Sequence, residues 1–317
     1  MGTLIKLKAE VKNTELPVLG SDGKITDYYV GRLRNKIMEL GGTVTDAEVN
    51  ALTALIEDGR TNGWLDKTAY LLPFIGSRDM PFAGAVPLID KYGNWEMSEY
   101  ANTNEVTENL FAYDSNNRIK TLGYVGSTST SYLKTPVKAS NLSNSLGTFA
   151  SFKLYKDTTK DMTFTSVYGA DGMGYVSTCL RIYSYSTNYY AFNTYYDNVN
   201  KNIEVVNSID DGTDINFYSA IYPQGEGSET LGMFAKAWHV DGKAPKISIP
   251  PIHWSEFDGI TAPNADAKIY VGRGSTSKVG CTFMPIKCMA LITPDITVNE
   301  VTALNAAVNT FNTALGR

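Results

Sequence analysis

The side chains suited to bond-breaking chemistry are few and scattered along this chain. Its two histidines are His239 and His253. A Ser-His-Asp or Cys-His relay needs an imidazole beside a nucleophile, and neither histidine sits in a nucleophile motif. His253 lies between Pro250-Pro251 and Trp254 and reads as a loop anchor. The three cysteines, Cys179, Cys281 and Cys288, are odd in number and fit no zinc spacing. All lie in apolar, strand-like runs, so buried free thiols are expected. Glu256 and Asp258 alternate so that both can share one face of a strand, and glycoside hydrolysis uses two carboxyl groups about 5–5.5 Å apart in its retaining form. A third carboxylate is missing, since the place it would take is Thr261, and Gly259-Ile260 reads as a turn. Asp210-Asp211-Gly212-Thr213-Asp214 has calcium-ligand chemistry but lacks the spacing and distal Glu of an EF-hand loop. An Asp-Gly turn between strands explains it. Gly272-Arg273-Gly274-Ser275 lacks the Lys of a phosphate loop and reads as a hairpin turn. These residues support no catalytic residue, no metal ligand and no cofactor.

One cluster has binding rather than bond-breaking chemistry. Tyr183, Tyr185, Tyr189, Tyr190, Phe192, Tyr195 and Tyr196 fall within a short segment. Aromatic faces stack on sugar rings, so Tyr185, Tyr189, Tyr190, Tyr195 and Tyr196 are the candidate glycan-binding set. The competing reading is that cross-strand aromatic pairs stabilise the sheet, with strand alternation burying about half of them.

The elements that must position these residues are legible from period and punctuation. Residues 3–11 alternate as a short strand, and Glu15 to Lys24, with Pro17, Gly20 and Gly23, reads as a loop. Asp27 can cap a helix carrying Val30, Leu33, Ile37 and Leu40 on one side, ended by Gly41-Gly42. Thr45 and Glu48 form a Thr-x-x-Glu capping box with Val44 and Val49 as its hydrophobic staple, and Gly59 or Gly63 stops that helix. The same device recurs at Thr297 and Glu300, with Ile296 and Val301 as staple. Helices are therefore expected near 27–40, 45–58 and 297–313, and antiparallel strands between about 72 and 292, where turn signals recur every ten to fifteen residues.

Composition fits that layout. The 317 residues are 43% hydrophobic and 19% charged, which builds a core and argues against global disorder. Net charge is −5, so the basic field of a nucleic-acid partner is lacking. No apolar run is long enough to cross a bilayer, so membrane insertion is not expected. The first residues lack the apolar stretch of a signal peptide, and Lys6 stands where myristoylation requires Ser or Thr. The chain is expected to be made in a cytoplasm.

Two stretches and the diffuse region between them resemble a known family. Asn62-Gly63-Trp64-Leu65-Asp66-Lys67, running into Leu72-Pro73-Phe74-Ile75-Gly76, resembles the helix, Gly-Leu-Trp-x-Lys, Tyr-Pro-Phe-Val-Gly segment of small virion proteins of tailed bacteriophages. Phe311-Asn312-Thr313-Ala314-Leu315-Gly316-Arg317 is similar to their Phe-x-Thr-x-Leu-Gly-Arg close. Leu72 replaces the usual Tyr, and Pro81-Phe82-Ala83-Gly84-Ala85 replaces the usual His-Lys-x-Asn-Leu stretch. The resemblance implies a mainly β chain: an antiparallel concanavalin-like (laminin-G-like) β-sandwich, or jelly roll, with short N-terminal and C-terminal helices. Its expected parts are an N-terminal strand and helices with an attachment role (1–66), the sandwich (67–292), and a C-terminal helix packed on it (293–317). It implies a non-enzymatic structural component of the virion, tail- or fibre-associated and able to contact host surface glycan. Capsid decoration or a head fibre is the alternative, and a polysaccharide depolymerase the second. The partners implied are other virion structural proteins, further copies in a homo-oligomer, and host surface polysaccharide. Residues 1–43 concentrate basic groups around Leu4, Leu7, Leu33 and Ile37, which form the candidate assembly interface; folding back on the chain's own sandwich is the competing reading.

Overall fold

The computed structural model describes residues 18–19, 25–92, 98–101, 111–123, 132–142, 146–153, 162–167, 176–183, 189–196, 199–207, 214–221, 231–239, 247–253, 268–271, 285–293 and 295–317. The strand expected at residues 3–11, with Leu4 and Leu7, lies outside them. The expected loop before the first helix contains part of a small antiparallel pair, β1 (Val18–Leu19) with β2 (Ile25–Thr26).

Helix α1 (Tyr28–Glu39) starts where Asp27 accepts the Tyr29 backbone N–H at 2.9 Å. Its Val30, Leu33 and Ile37 are 0% exposed and join the main core of this same chain. Leu33 and Ile37 are thus spent on the chain's own packing, which is the fold-back arrangement for this helix. Helix α2 (Asp46–Asn62) carries the capping box in full: Glu48 N–H donates to Thr45 Oγ1 (3.2 Å), and Thr45 N–H donates to Glu48 Oε2 (2.8 Å). Glu48 also accepts Arg118 Nη2 at 2.5 Å and Arg118 Nε at 3.1 Å, so one carboxylate ties the cap to a distant hairpin.

The helix runs past Gly59 and stops at Gly63, whose φ of 83° is the left-handed conformation that suits glycine. Gly59 is needed for a different reason. A Cβ there would come within 2.9 Å of the Trp64 ring. Trp64 is fully buried and donates its indole N–H to Asp58 Oδ1 at 2.8 Å.

The strands follow as β3 (Thr68–Leu72), β4 (Ile89–Asp90), β5 (Glu99–Ala101), β6 (Phe111–Tyr113), β7 (Ile119–Leu122) and β8 (Tyr132–Lys138). Next come β9 (Leu146–Lys153), β10 (Met162–Val167), β11 (Val176–Tyr183), β12 (Tyr189–Tyr196) and β13 (Val199–Asn207). The last are β14 (Asp214–Ile221), β15 (Leu231–His239), β16 (Ile247–His253), β17 (Lys268–Val271) and β18 (Ile286–Ile292), before helix α3 (Val298–Ala314). A seven-stranded sheet has the order β13-β12-β11-β10-β17-β8-β5. A nine-stranded sheet has the order β16-β15-β14-β9-β18-β3-β4, with β7 added to β18 and β6 to β7. The described strand pairings in both are antiparallel.

The nine-stranded sheet is buried on both faces at its centre. Leu71, Phe149, Tyr218, Cys288, Ala290 and Ile292 share a core with the three helices. The alternate residues Tyr70, Leu72, Phe152, Phe217, Met289 and Leu291 fall on the opposite face and are at most 2% exposed. This is why β18 is a continuous buried run rather than an alternating one. Between the two sheets, β10 lies beside β9 and β13 beside β16.

Helix α3 repeats the capping box at Thr297 and Glu300 and lies on the helix-side face of the nine-stranded sheet through a polar seam. Asn216 Nδ2 donates to Asn305 Oδ1 (2.7 Å) and Asn309 Oδ1 (2.6 Å), and Asn312 Nδ2 donates to Ser151 Oγ (3.0 Å). Gly316 then turns at φ 65° and delivers Arg317 into a cluster of carbonyls. Its guanidinium donates to the carbonyls of Pro73, Phe74 and Lys120, each at 3.0 Å, and of Lys287 at 3.3 Å. The two motifs that carried the resemblance therefore meet in space: the closing Arg holds the Pro-Phe turn, where Phe74 itself adopts φ 47°.

Candidate functional site

The groups considered for catalysis do not assemble among the described residues. β15 and β16 pair with Leu231 opposite His253, while His239 is the last residue of β15. The two imidazole-bearing positions are thus at opposite ends of the strand pair, about 27 Å apart at the usual rise per residue. His253 belongs to a strand rather than to a loop, a correction with a simple cause. Pro250 and Pro251 are tolerated because β16 is the edge strand of its sheet. Glu256, Asp258, Asp210, Asp211, Cys281 and Tyr185 lie outside the described residues.

Asp214 is held by Lys287, with Nζ and Oδ1 2.6 Å apart, so it works as a partner in an ion pair between β14 and β18. Burial lowers the Lys287 pKa, and the Asp214 carboxylate opposes that shift. Cys288 is buried, and desolvation pushes its thiol up to about 12, far from the range of a nucleophilic thiolate. No group of three or more metal-ligating side chains occurs among the described residues, and none of the described helices is long and apolar enough to cross a membrane.

The tyrosine-rich strand β12 is placed by the register of the seven-stranded sheet. Its two faces can be told apart from β17, whose Ile269 and Val271 are buried while Lys268 and Tyr270 are half-buried. β8 repeats the pattern: Leu133, Thr135 and Val137 are buried, Lys134 and Pro136 half-buried, and Lys138 exposed. Directly opposed residues of an antiparallel pair share a face. On that rule Ile269 leads through Val167 and Val176 to Tyr196 and Val199. Tyr270 leads through Ser166 and Ser177 to Tyr195 and Asn200.

Alternation along β12 completes the assignment. Tyr190, Phe192, Thr194 and Tyr196 share the Ile269 face, opposite Ile182, Leu180, Thr178 and Val176. Tyr189, Ala191, Asn193 and Tyr195 share the Tyr270 face, opposite Tyr183, Arg181, Cys179 and Ser177. On β13, Asn207, Asn202 and Asn200 stand opposite Tyr189, Asn193 and Tyr195, with a bulge between Ala191 and Phe192 of the partner register. The candidate tyrosines therefore divide. Tyr189 and Tyr195 lie on the face rich in Tyr, Asn and Ser, and Tyr190 and Tyr196 on the Ile269 face, with Phe192, Thr194 and Lys201. Register adds Tyr183, a member of the aromatic cluster outside the candidate set, and also Tyr270, Arg181 and the β13 asparagines, which the sequence reading had not grouped. From Tyr189 to Tyr195 the strand runs about 20 Å.

No family model matches the chain, and no curated protein matches it. Solved structures with a similar arrangement include the enzymatically active domain of bacteriophage CBA120 tailspike protein 2, at 8% identity and a TM-score of 0.47. That match covers 67% of this chain and 31% of the tailspike chain. Domain 4 of AbnA, a GH43 extracellular arabinanase from Geobacillus stearothermophilus in complex with arabinotriose, matches at 14% identity and a TM-score of 0.45, covering 75% of this chain and 98% of that one. A Trypanosoma rangeli sialidase mutant displaying trans-sialidase activity matches at 8% identity and a TM-score of 0.42, covering 83% of this chain and 39% of that one.

Proposed function

We propose that this chain is a non-enzymatic structural component of a tailed-bacteriophage particle, tail- or fibre-associated, that contacts host surface glycan through the Tyr270 face of its seven-stranded sheet. The observation that carries the binding role is the segregation on β12. Tyr183, Tyr189, Tyr195 and the amide-bearing Asn193, Asn200 and Asn202 fall together on one face, with Ala191 and Val205, while Tyr190, Phe192 and Tyr196 fall on the other with Ile182, Leu180 and Val176. Aromatic rings offer flat apolar area to the C–H face of a sugar, and amide side chains both donate to and accept from its hydroxyls. The virion assignment rests on the two resembling end motifs, which Arg317 joins through its bonds to Pro73 and Phe74. The concanavalin-like jelly roll belongs to the same reading, supported by two antiparallel sheets with helices at the chain ends. Other virion proteins and further copies of the chain are its proposed partners.

A panel of immobilised host-surface glycans, probed with the purified chain, tests the binding role. Saturable binding that weakens in Tyr195→Ala and Tyr189→Ala is expected. Binding that survives both substitutions unchanged would move the contact off this face.

A further inference from the structure

Helix α2 ends on Asn62, which is exposed, and the next residue is Gly63. This is the one Asn-Gly pair in the chain. Glycine lacks the Cβ that would crowd its own amide nitrogen, so that nitrogen is open to the side-chain carbonyl carbon of the asparagine before it. A helical backbone opposes their approach, because it holds the nitrogen away from the side chain. Two features relax that restraint at Asn62. It is the last helical residue, and its carbonyl is one of the four that a helix end leaves without an internal partner. Gly63 stands at φ 83° and ψ −9°, and glycine takes positive and negative φ about equally. The peptide plane between the two residues can therefore turn about the line joining their Cα atoms, with ψ of Asn62 and φ of Gly63 rotating in opposite senses. Trp64, buried and bonded to Asp58 at 2.8 Å, keeps its place during that turn.

We propose that Asn62 is a self-modifying site, at which the folded chain converts an asparagine to isoaspartate and aspartate. Solvent hydroxide removes the Gly63 amide proton, and the nitrogen attacks Cγ of Asn62. A bond from that nitrogen to Cγ forms, the Cγ–Nδ2 bond breaks, and Nδ2 leaves as ammonia after taking a proton from water. The ring so closed is a succinimide. Water then adds to one of its two carbonyls. One product is aspartate; the other is isoaspartate, whose main chain runs through the former side chain and is one carbon longer. Either product carries a negative charge that the asparagine lacked. That charge falls at the C-terminal end of α2, where the helix dipole disfavours anions. It also falls next to Gly63, against which Glu300 stands, with Oε1 3.2 Å from the place a Gly63 Cβ would take. Glu300 accepts the Thr297 N–H that caps α3, so the modification bears on both capped helices.

The test follows the full chain during incubation at neutral and at mildly alkaline pH. Trypsin then releases Thr61–Lys67, in which Asn62 is the one asparagine. Liquid chromatography with mass spectrometry separates its Asn, Asp and isoAsp forms, and a synthetic peptide of the same sequence is the unfolded reference. Conversion in the folded chain should fall within several-fold of the free peptide, quicken with pH, give more isoaspartate than aspartate, and take up heavy oxygen from labelled water. Asn116 and Asn117 are also exposed, but the residues after them carry side chains, so they should convert roughly tenfold more slowly or less. The aged chain should unfold at a lower temperature than the fresh one, and Asn62→Gln aged beside it should not change. An Asn62 that stays intact in the folded chain while the free peptide converts overturns the proposal, as does conversion no faster than at Asn116. Aspartate without isoaspartate overturns the succinimide route. An equal fall in the midpoint of the aged Asn62→Gln chain overturns the effect on the helices.

Discussion

The two capping boxes are chemically the same and differ in what else their glutamates hold, so they give an internal control. Glu48 is 5% exposed and accepts four bonds, from Thr45 N–H (2.8 Å), Thr45 Oγ1 (3.0 Å), Arg118 Nη2 (2.5 Å) and Arg118 Nε (3.1 Å). Glu300 accepts Thr297 N–H at 2.6 Å in a half-buried setting at the start of α3. Glutamine satisfies a capping box as glutamate does, so Glu→Gln leaves each cap and removes only the charge. At Glu300 the change should lie within about 0.5 kcal/mol of neutral. At Glu48 it leaves Arg118 without its counter-charge. Removing one partner of a buried pair costs about 3–5 kcal/mol. The Arg118 side chain is 16% exposed and keeps Thr43 O (2.8 Å) and Thr43 Oγ1 (3.1 Å), which reduces that cost. The expected loss for Glu48→Gln is about 2–4 kcal/mol. Urea unfolding with unchanged slope measures both variants. Equal midpoints for Glu48→Gln and Glu300→Gln would refute the reasoning, as would additivity of Glu48→Gln with Arg118→Met.

Three further outcomes are expected. Gly59→Ala should destabilise by about 1–3 kcal/mol through overpacking against Trp64, despite the better helix propensity of alanine; a rise in the unfolding midpoint would contradict the Trp64 contact. Thr297→Ala should cost about 0.5–2 kcal/mol by loss of an N-cap, read from the shift in thermal midpoint. Cys288 should resist iodoacetamide in the native chain at pH 8 and react on unfolding, followed by mass spectrometry of its peptide. Its folded pKa, pushed up to about 12, exceeds the ordinary value of 9.0. The folded state then holds more protons than the unfolded state between those values, and stability falls as pH rises, by up to about 1.4 kcal/mol per pH unit. That loss should vanish in Cys288→Ala, and an identical slope in the variant would contradict it.

Much of the fold was legible in the sequence because its signals are local. Asp27, Thr45 and Thr297 mark helix starts through bonds made within one turn, and all three cap as the sequence implied. The helix end was less legible, because Gly59 answers to Trp64, which a window around the glycine cannot weigh. β16 was hidden by Pro250-Pro251, since edge position is a property of the whole sheet. For the proposed binding face, alternation of the tyrosines was visible, but which alternate set shares a face with the buried Ile269 of β17 was not. That phase came from Ile269 and Tyr270, about 75 residues away in the chain and three strands away in the sheet. Arg317 was visible as a motif residue, while its four carbonyl partners come from segments far apart in sequence.

The most direct measurement of the central claim is calorimetric titration of host-surface polysaccharide into the purified full chain, with product length followed by size-exclusion chromatography. The account predicts saturable binding, lost in the Tyr189→Ala, Tyr195→Ala double variant with its fold intact, and polysaccharide of unchanged length. No binding by the folded parent, or shortening of the polysaccharide, would contradict it.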